Sequence, residues 1–369
     1  MKVALYASQL APAGPTGIHR YVSEIARALF ERYPDRYRLI ASAEDADPTW
    51  LPPGMPLTRL PGPRRALHLA WYLVRRPRID RFGDADVVHV LYPTFPVPTS
   101  APLVYTFHDI QHVEDPGSYR RKEAMLGRAA VHDAAAHAVR IIAVSAQVAR
   151  EASTRLGIES SRITVVHHGV AERFRTRPLA DAVRAVASRF GLTPRSYLLY
   201  VGKVETRKNL STLLRAMARR GPGAPLVVAG PDGQGASGIM AEIHALGLAA
   251  DVTMTGHLDT ELPALMAGAL ALVHPSEYES FGLPPLEAMS LGTPVIASRA
   301  GALPEVLGDA AILLGPHDVE AWAESLTRLQ ADGGFASALA EKGRSHASRF
   351  TWQRAAEATA AVHEEALSV

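Results

Sequence analysis

The chain has 369 residues, 47% of them apolar and 21% charged, with 39 Lys and Arg against 37 Asp and Glu and no cysteine. This is the composition of a globular protein long enough for two cores, and the missing cysteines exclude disulfides, thiolate nucleophiles and cysteine-ligated zinc. Residues 1–180 carry 24 Lys and Arg against 17 Asp and Glu and the remainder 15 against 20, a modest positive field suited to an anionic partner or an acidic membrane surface; it lacks the basic stripe and stacking aromatics of a nucleic-acid binder.

The apolar run from Val3 to Ser8 is too short for the core of a signal peptide and reads as a first strand. No stretch approaches the roughly 20 apolar residues of a spanning helix, so the expected location is the cytosol, or at most the inner face of a membrane as a peripheral protein. Further short runs follow at Val87–Val90, Leu103–Phe107, Ile141–Val144 and Ile163–Val166, then Tyr197–Val201, Pro225–Val228, Val252–Thr255, Ala271–Val273 and Val295–Ala297. Each is continuous, bounded by Gly, Pro or His, and separated from the next by a helical stretch, the pattern of strands buried on both faces of a parallel sheet. Two doubly wound α/β domains are expected: one over residues 1–180, one over 190–350, with a hinge at Ala171–Arg195 and a final amphipathic helix after Thr351 that either domain can receive.

Between Arg64 and Arg81 six arginines interleave with Leu67, Leu69, Trp71, Tyr72 and Leu73. Two readings stay open: a face that docks on anionic lipid, and the commoner packed helix with solvated arginines. The triplets Asp45-Ala46-Asp47 and Asp84-Ala85-Asp86 resemble a metal-binding signature, but neither follows the carboxyl end of a strand. Gly230-Pro231-Asp232-Gly233-Gln234-Gly235 is a poor dinucleotide fingerprint, His167 and His168 are adjacent and point apart, and no His-Glu-x-x-His occurs, so no metal is expected.

In an open α/β sheet ligands bind beyond the carboxyl ends of the strands. Ser276-Glu277-Tyr278-Glu279-Ser280-Phe281-Gly282-Leu283-Pro284-Pro285-Leu286-Glu287 follows one such strand. The amides of Ser280, Phe281, Gly282 and Leu283 at a helix start suit a diphosphate, the prolines suit the first turn, and Glu287 lies one turn further in, where a carboxylate grips a ribose diol. Gly202-Lys203-Val204-Glu205-Thr206-Arg207-Lys208-Asn209-Leu210 follows another strand and gathers Lys203, Arg207 and Lys208, cations able to neutralise a leaving diphosphate without a metal.

Taken in order, Thr16-Gly17-Ile18-His19-Arg20-Tyr21, Phe107-His108-Asp109, Val165-Val166-His167-His168-Gly169-Val170, the Lys208-Asn209 loop, Glu279 with Glu287, and Pro304-Glu305-Val306 resemble the retaining GT-B glycosyltransferases that include bacterial mannosyltransferases and sucrose synthases. The resemblance spans essentially the whole chain. It implies two Rossmann-like domains with the sugar donor between them, and hexose transfer from a nucleotide diphosphate sugar without cofactor or obligatory metal. The Gly-Leu-Pro-Pro-Leu-Glu-Ala-Met string favours GDP-mannose; UDP-glucose and UDP-N-acetylglucosamine stay open, as do glycan, lipid-linked and small natural-product acceptors, and a nucleotide-sugar epimerase or a non-catalytic nucleotide-binding subunit are the other classes. By position it implies that Lys208 and Gly202 meet the diphosphate, Glu287 the ribose, Glu279 and the amides of residues 280–283 the sugar and phosphate, and His257 and Leu258 the base. It also implies that Gly17 admits the diphosphate, that His108 touches the transferred sugar, and that Arg20, Tyr21 and Asp109 face the acceptor. His108, Glu279 and Lys208 are then the catalytic set. The chain departs from the family at three places: Lys203 stands where many members have arginine, with Arg207 a substitute; His168 stands where many have asparagine; and the first loop keeps Gly17 with Gly14 displaced.

Overall fold

The structure, a computed structural model, describes residues 1–7, 17–42, 44, 52–93, 95–114 and 121–368. It divides into two compact units, Met1–Gly169 with Phe350–Val369, and Val170–Arg349. The acidic triplet at 45–47 and the glycine at 14 lie outside the described residues.

The first unit runs β1 (Val3–Tyr6), α1 (Gly17–Arg32), β2 (Tyr37–Ser42), β3 (Leu57–Leu60), α2 (Arg64–Val74), β4 (Val87–Val90), β5 (Leu103–Phe107), α3 (Gln111–Glu114), α4 (Arg121–His137), β6 (Arg140–Ala143), α5 (Ala146–Leu156) and β7 (Ile163–Val165). Its seven parallel strands lie in the order β3-β2-β1-β4-β5-β6-β7. Every residue of β1, β4 and β5 is buried, as strands covered by helices on both faces must be. The second unit runs α6 (Ala180–Arg189), β8 (Leu198–Val201), α7 (Leu210–Arg220), β9 (Leu226–Ala229), α8 (Ala236–Ala245), β10 (Val252–Gly256), α9 (Leu262–Gly268), β11 (Ala271–His274), α10 (Leu283–Ser290), β12 (Val295–Ser298), α11 (Leu303–Leu307), β13 (Ile312–Leu314), α12 (Val319–Ala331) and α13 (Gly333–Ala347). Its order, β10-β9-β8-β11-β12-β13, is the Rossmann order, and chain direction across the sheet reverses between β8 and β11. The α/β class and two Rossmann-like sheets agree with the sequence reading.

Residues 171–195 belong to the second unit. Phe174 is fully buried, Val183 and Ala187 of α6 face inward, and Arg189 pairs with Glu261 at 2.7 Å before α9, so this polar stretch carries an apolar stripe that packs. The last helix, α14 (Trp352–Leu367), is capped by the Thr351 hydroxyl, which accepts from the Arg354 amide at 3.2 Å, and belongs to the first unit. It buries Trp352, Ala356, Ala360 and Val362 in the core beneath α1.

A buried polar chain joins α14 to the sheet. Tyr37 Oη meets His363 Nδ1 at 3.2 Å, His363 Nε2 meets His89 Nδ1 at 3.0 Å, His89 Nε2 meets Thr106 Oγ1 at 2.8 Å, and Thr106 Oγ1 meets Tyr21 Oη at 2.9 Å. Each ring is satisfied if it donates through one nitrogen and accepts through the other, so the chain closes with both histidines neutral. Burial enforces that state. It pushes His363 down to about 3 and His89 well below the usual histidine value, and pushes His68 and His108, elsewhere in the same unit, to about 4.

A histidine whose folded pKa is depressed binds its proton more readily unfolded, so its contribution is complete above about pH 6.5 and is lost as pH falls toward the folded value. Each of His68, His108 and His363 is therefore expected to cost the first unit about 2 kcal/mol between pH 7 and pH 5. Trp322→Phe leaves every tryptophan in the first unit. Its urea midpoint by fluorescence should fall steeply over that range, and a flat midpoint contradicts the neutral buried histidines.

Candidate active site

The two motifs singled out in the sequence meet at the carboxyl ends of β8 and β11, neighbours in the second sheet at its point of reversal. The chain leaves β8 through Gly202, passes Lys203 and Glu205, forms one turn of 3-10 helix at Thr206–Lys208, and enters α7 through Asn209. It leaves β11 through Pro275 and Ser276, reaches Glu279, and enters α10 at Leu283.

Glu279 is the hub. Its Oε1 accepts from Lys208 Nζ at 2.6 Å, His274 Nε2 at 2.7 Å and Ser276 Oγ at 2.8 Å, while Oε2 makes no hydrogen bond among the described residues. The Lys208 and Glu279 side chains are 13% and 12% exposed, so both are largely withdrawn from water yet reachable. Burial alone raises a carboxyl pKa; here the charge of Lys208 and the bond from His274 outweigh it and hold Glu279 well below the ordinary carboxylate range. One saturated oxygen and one open oxygen make it a fixed acceptor for ligand hydroxyls. Lys208 keeps two ammonium protons for an anion.

His274, the last residue of β11, is 1% exposed and lies parallel to the Tyr200 ring, centroids 6.3 Å apart. Tyr200 in turn donates to the Lys203 carbonyl at 3.2 Å. Asn209 holds the turn in place. It takes the left-handed conformation at φ 55°, which asparagine tolerates, and its Nδ2 donates to the carbonyls of Pro275 at 3.1 Å and Pro316 at 2.6 Å. The Glu277 amide completes the tie by donating to the Arg207 carbonyl at 3.0 Å.

Lys203 and Arg207, about half exposed, share Glu205 at 2.8 and 3.2 Å. Burial pushes the Glu205 carboxyl up, but the Lys203 hydrogen bond and the surrounding cations keep it below its usual value. The structure thus brings Gly202, Lys203, Arg207, Lys208 and Glu279 together and adds Glu205, His274, Ser276 and Asn209, which the motif reading did not assign. Gly230 lets the loop after β9 lie against this one, since a Cβ there would stand 2.0 Å from the Gly202 carbonyl oxygen.

Gly282 precedes α10 in a left-handed conformation, and Pro284 and Pro285 occupy its first turn. They have no N–H, so only residues up to Leu283 can offer amides at this end. Ser280 is half-buried and Phe281 buried; Glu287, on α10, is fully buried. His257 is exposed and Leu258 half-buried, just past the end of β10.

The other expected residues belong to the first unit. His108 follows β5, and its Nε2 donates to the Leu91 carbonyl at 3.1 Å, which leaves Nδ1 as the lone-pair nitrogen. The ring meets Tyr21 edge-on, centroids 4.4 Å apart, and lies 5.5 Å from His168. Tyr21 does not present its hydroxyl to an acceptor: the side chain is 4% exposed and the hydroxyl is engaged with Thr106 inside the polar chain. Asp109 accepts from the Gln111 amide at 3.1 Å and so starts α3. Arg20 is half-buried on α1, and a Cβ at Gly17 would meet nothing within 4 Å.

The sequence profile of "Glycosyl transferases group 1" matches residues 189–346, and that of "Glycosyltransferase Family 4" residues 15–174. A D-inositol 3-phosphate glycosyltransferase of Actinosynnema mirum is 31% identical over 293 residues, covering 73% of this chain and 68% of the relative. The chain belongs to this glycosyltransferase family. An O-antigen chain mannosyltransferase B of Escherichia coli is 29% identical over 299 residues, covering 79% and 78% of the two chains. The chain spans 64% of a 32% identical D-inositol 3-phosphate glycosyltransferase of Salinispora arenicola, less than two thirds of that protein, with 72% of this chain covered. HepE of Anabaena, solved with UDP and glucose, superposes at a TM-score of 0.80 with 21% identity over 99% of this chain and 100% of that one. Sucrose-phosphate synthase of Thermosynechococcus elongatus does so at 0.76 with 23% identity over 99% and 98%. At these identities the likeness shows the fold, which is GT-B.

Gly301, at φ 54°, carries the loop after β12 against the Glu279 backbone; a Cβ there would stand 2.3 Å from the Glu279 carbonyl oxygen. Gly301→Ala is expected to destabilise the second unit by at least about 2 kcal/mol, through the clash and the left-handed φ together. Denaturant unfolding checks this, and an unchanged midpoint contradicts the close approach.

Proposed function

We propose that the chain is a retaining hexosyltransferase that takes its sugar from a nucleotide diphosphate donor, with GDP-mannose favoured. The observation that carries the reading is the division of labour at Glu279: one oxygen held by Lys208, His274 and Ser276, the other open at the switch point of a Rossmann-order sheet. Such a carboxylate suits the hydroxyls of a bound hexose. Lys208, with Lys203 and Arg207 on the same loop, suits the diphosphate and supplies the positive charge that the phosphate needs as it leaves. The Ser280–Leu283 amides join this cradle, Glu287 takes the ribose, and His257 and Leu258 flank the base. In the first unit His108 is neutral, because burial lowers its pKa to about 4, which suits a hydrogen-bonding group without charge.

Retention follows a front-face course in this reading. The bond from the sugar carbon to the departing phosphate oxygen breaks, the acceptor hydroxyl attacks on the face being vacated, and its proton passes to that phosphate oxygen. Glu279 serves poorly as a nucleophile, because the charge of Lys208 and the bonds to Oε1 stabilise the carboxylate and lower the basicity of its open Oε2. Three cations beside the phosphates take the part that a metal plays elsewhere. The mannosyl preference is supported by the Gly-Leu-Pro-Pro-Leu-Glu-Ala-Met string and by the similarity to the E. coli O-antigen mannosyltransferase.

Thermal unfolding with GDP, UDP, ADP and TDP, each with and without magnesium, tests the reading. A nucleotide at 100 times its Kd adds about 2.7 kcal/mol, a rise of several degrees. GDP is expected to raise Tm most, to the same extent with and without magnesium. If none of the four raises it, the site around Lys208 and Glu279 is not a nucleotide site.

A further inference from the structure

Helix α2 uses one face for the core and leaves a second apolar face in solvent. Leu67, His68 and Trp71 point inward, with Trp71 edge-on to Tyr6 and His68 stacked on Phe95. Leu69, Tyr72, Leu73 and Val74 are 58%, 46%, 66% and 64% exposed. These four are nearly half of the nine exposed large apolar side chains among the described residues, gathered within six positions, so scatter does not account for them.

Leu69, Tyr72 and Leu73 stand at positions i, i+3 and i+4, and Arg65 extends the same stripe one turn earlier; Arg76 follows just beyond the helix end. Residues 51–79 contain six arginines and no aspartate or glutamate. Among the described residues, the acids that reach this surface from elsewhere are already engaged: Glu44 with Arg64, Asp80 with Arg78 and Asp133 with Arg75. Arg65, Arg76 and Arg81 make no ion pair among the described residues. One face of this helix therefore packs, as in the commoner reading of the stretch, and the other stands in solvent with its arginines.

We infer that this stripe docks on the surface of an anionic lipid bilayer, its aliphatic and tyrosine side chains entering the headgroup boundary and its unpaired arginines meeting lipid phosphates. Charge selects this occupant. A second copy of the chain, paired about a two-fold axis, would set arginine against arginine with no unengaged acid among the described residues to separate them. A nucleic acid would leave four apolar side chains without a counterpart. No helix among the described residues is long and apolar enough to cross a membrane, so the contact is peripheral.

Flotation of the full chain with vesicles tests the inference, independently of any sugar donor. Phosphatidylcholine vesicles carrying about one third phosphatidylglycerol should bind it at least tenfold more tightly at low salt than pure phosphatidylcholine, with the difference shrinking as salt screens the arginines. Leu69→Ser with Leu73→Ser, and separately Arg65→Gln with Arg76→Gln, should each weaken binding about tenfold while Tm stays as in the parent, because all four side chains lie outside the core. Equal binding to both vesicle types, no binding at low salt, or unchanged binding by both double variants overturns it. So does a dimer in solution that the serine pair abolishes.

Discussion

The second unit is organised around a buried charge. Bringing the Glu279 carboxylate out of water is unfavourable by several kcal/mol, and the cost is met only because Lys208, His274 and Ser276 all reach the same oxygen. Each of those groups is fixed by something else: Lys208 by the turn that Asn209 ties to Pro275 and Pro316, His274 by its place at the end of a fully buried strand and its stack on Tyr200, Ser276 by the chain between His274 and Glu279. The glutamate itself is pressed by the loop at Gly301, whose successor Ala302 donates its amide to the Glu279 carbonyl at 2.8 Å. Removing any one member leaves charge or polar groups stranded in a dry place, so geometry and stability at this site are one constraint.

The first unit meets a related problem without charge. His68, His89, His108, His168 and His363 are neutral, and a chain of neutral hydrogen bonds runs from α1 through β5 and β4 to α14. Ion pairs of Arg36 with Glu364 at 2.8 Å and Arg140 with Glu365 at 3.3 Å add to it at the surface, where water and salt weaken them. The apolar seam of Trp352, Ala356 and Ala360 carries the docking of α14; the polar chain sets its register against the sheet.

Much of this was legible in the sequence, for a physical reason. The ten apolar runs became strands, nine with shifts of one residue at most and the first ending at Tyr6 rather than Ser8, since a strand covered on both faces needs an unbroken apolar run. β2, β3 and β13 escaped notice because Arg38 interrupts the first and the other two are edge strands, partly exposed and paired on one side only. The stretch at 171–195 read as a polar hinge because its inward positions are few and widely spaced. At the site, the Lys208 loop and the Glu279 motif were visible as charges after strands. His274 was hidden as the polar end of an apolar strand, and Asn209 as a filler beside two cations; a buried polar residue within one turn of a motif carboxylate was the available signal. The burial of Tyr21 was not legible, because a phenol on an amphipathic helix resembles a surface group until its partner, Thr106, is known. Gly230 and Gly301 matter through contacts far along the chain, which no local pattern encodes.

The central claim is that the open oxygen of Glu279 reads the sugar while the cations of its loop read the diphosphate. Calorimetric titration of GDP and of GDP-mannose into the parent protein and into Glu279→Gln tests it most directly. The account predicts that GDP binds both proteins within about threefold, while the additional affinity of GDP-mannose over GDP falls by about 10–100-fold in the variant, the loss expected for a hydrogen bond to a charged group. An undiminished sugar increment in the variant would contradict it, as would loss of GDP binding to the same degree as GDP-mannose.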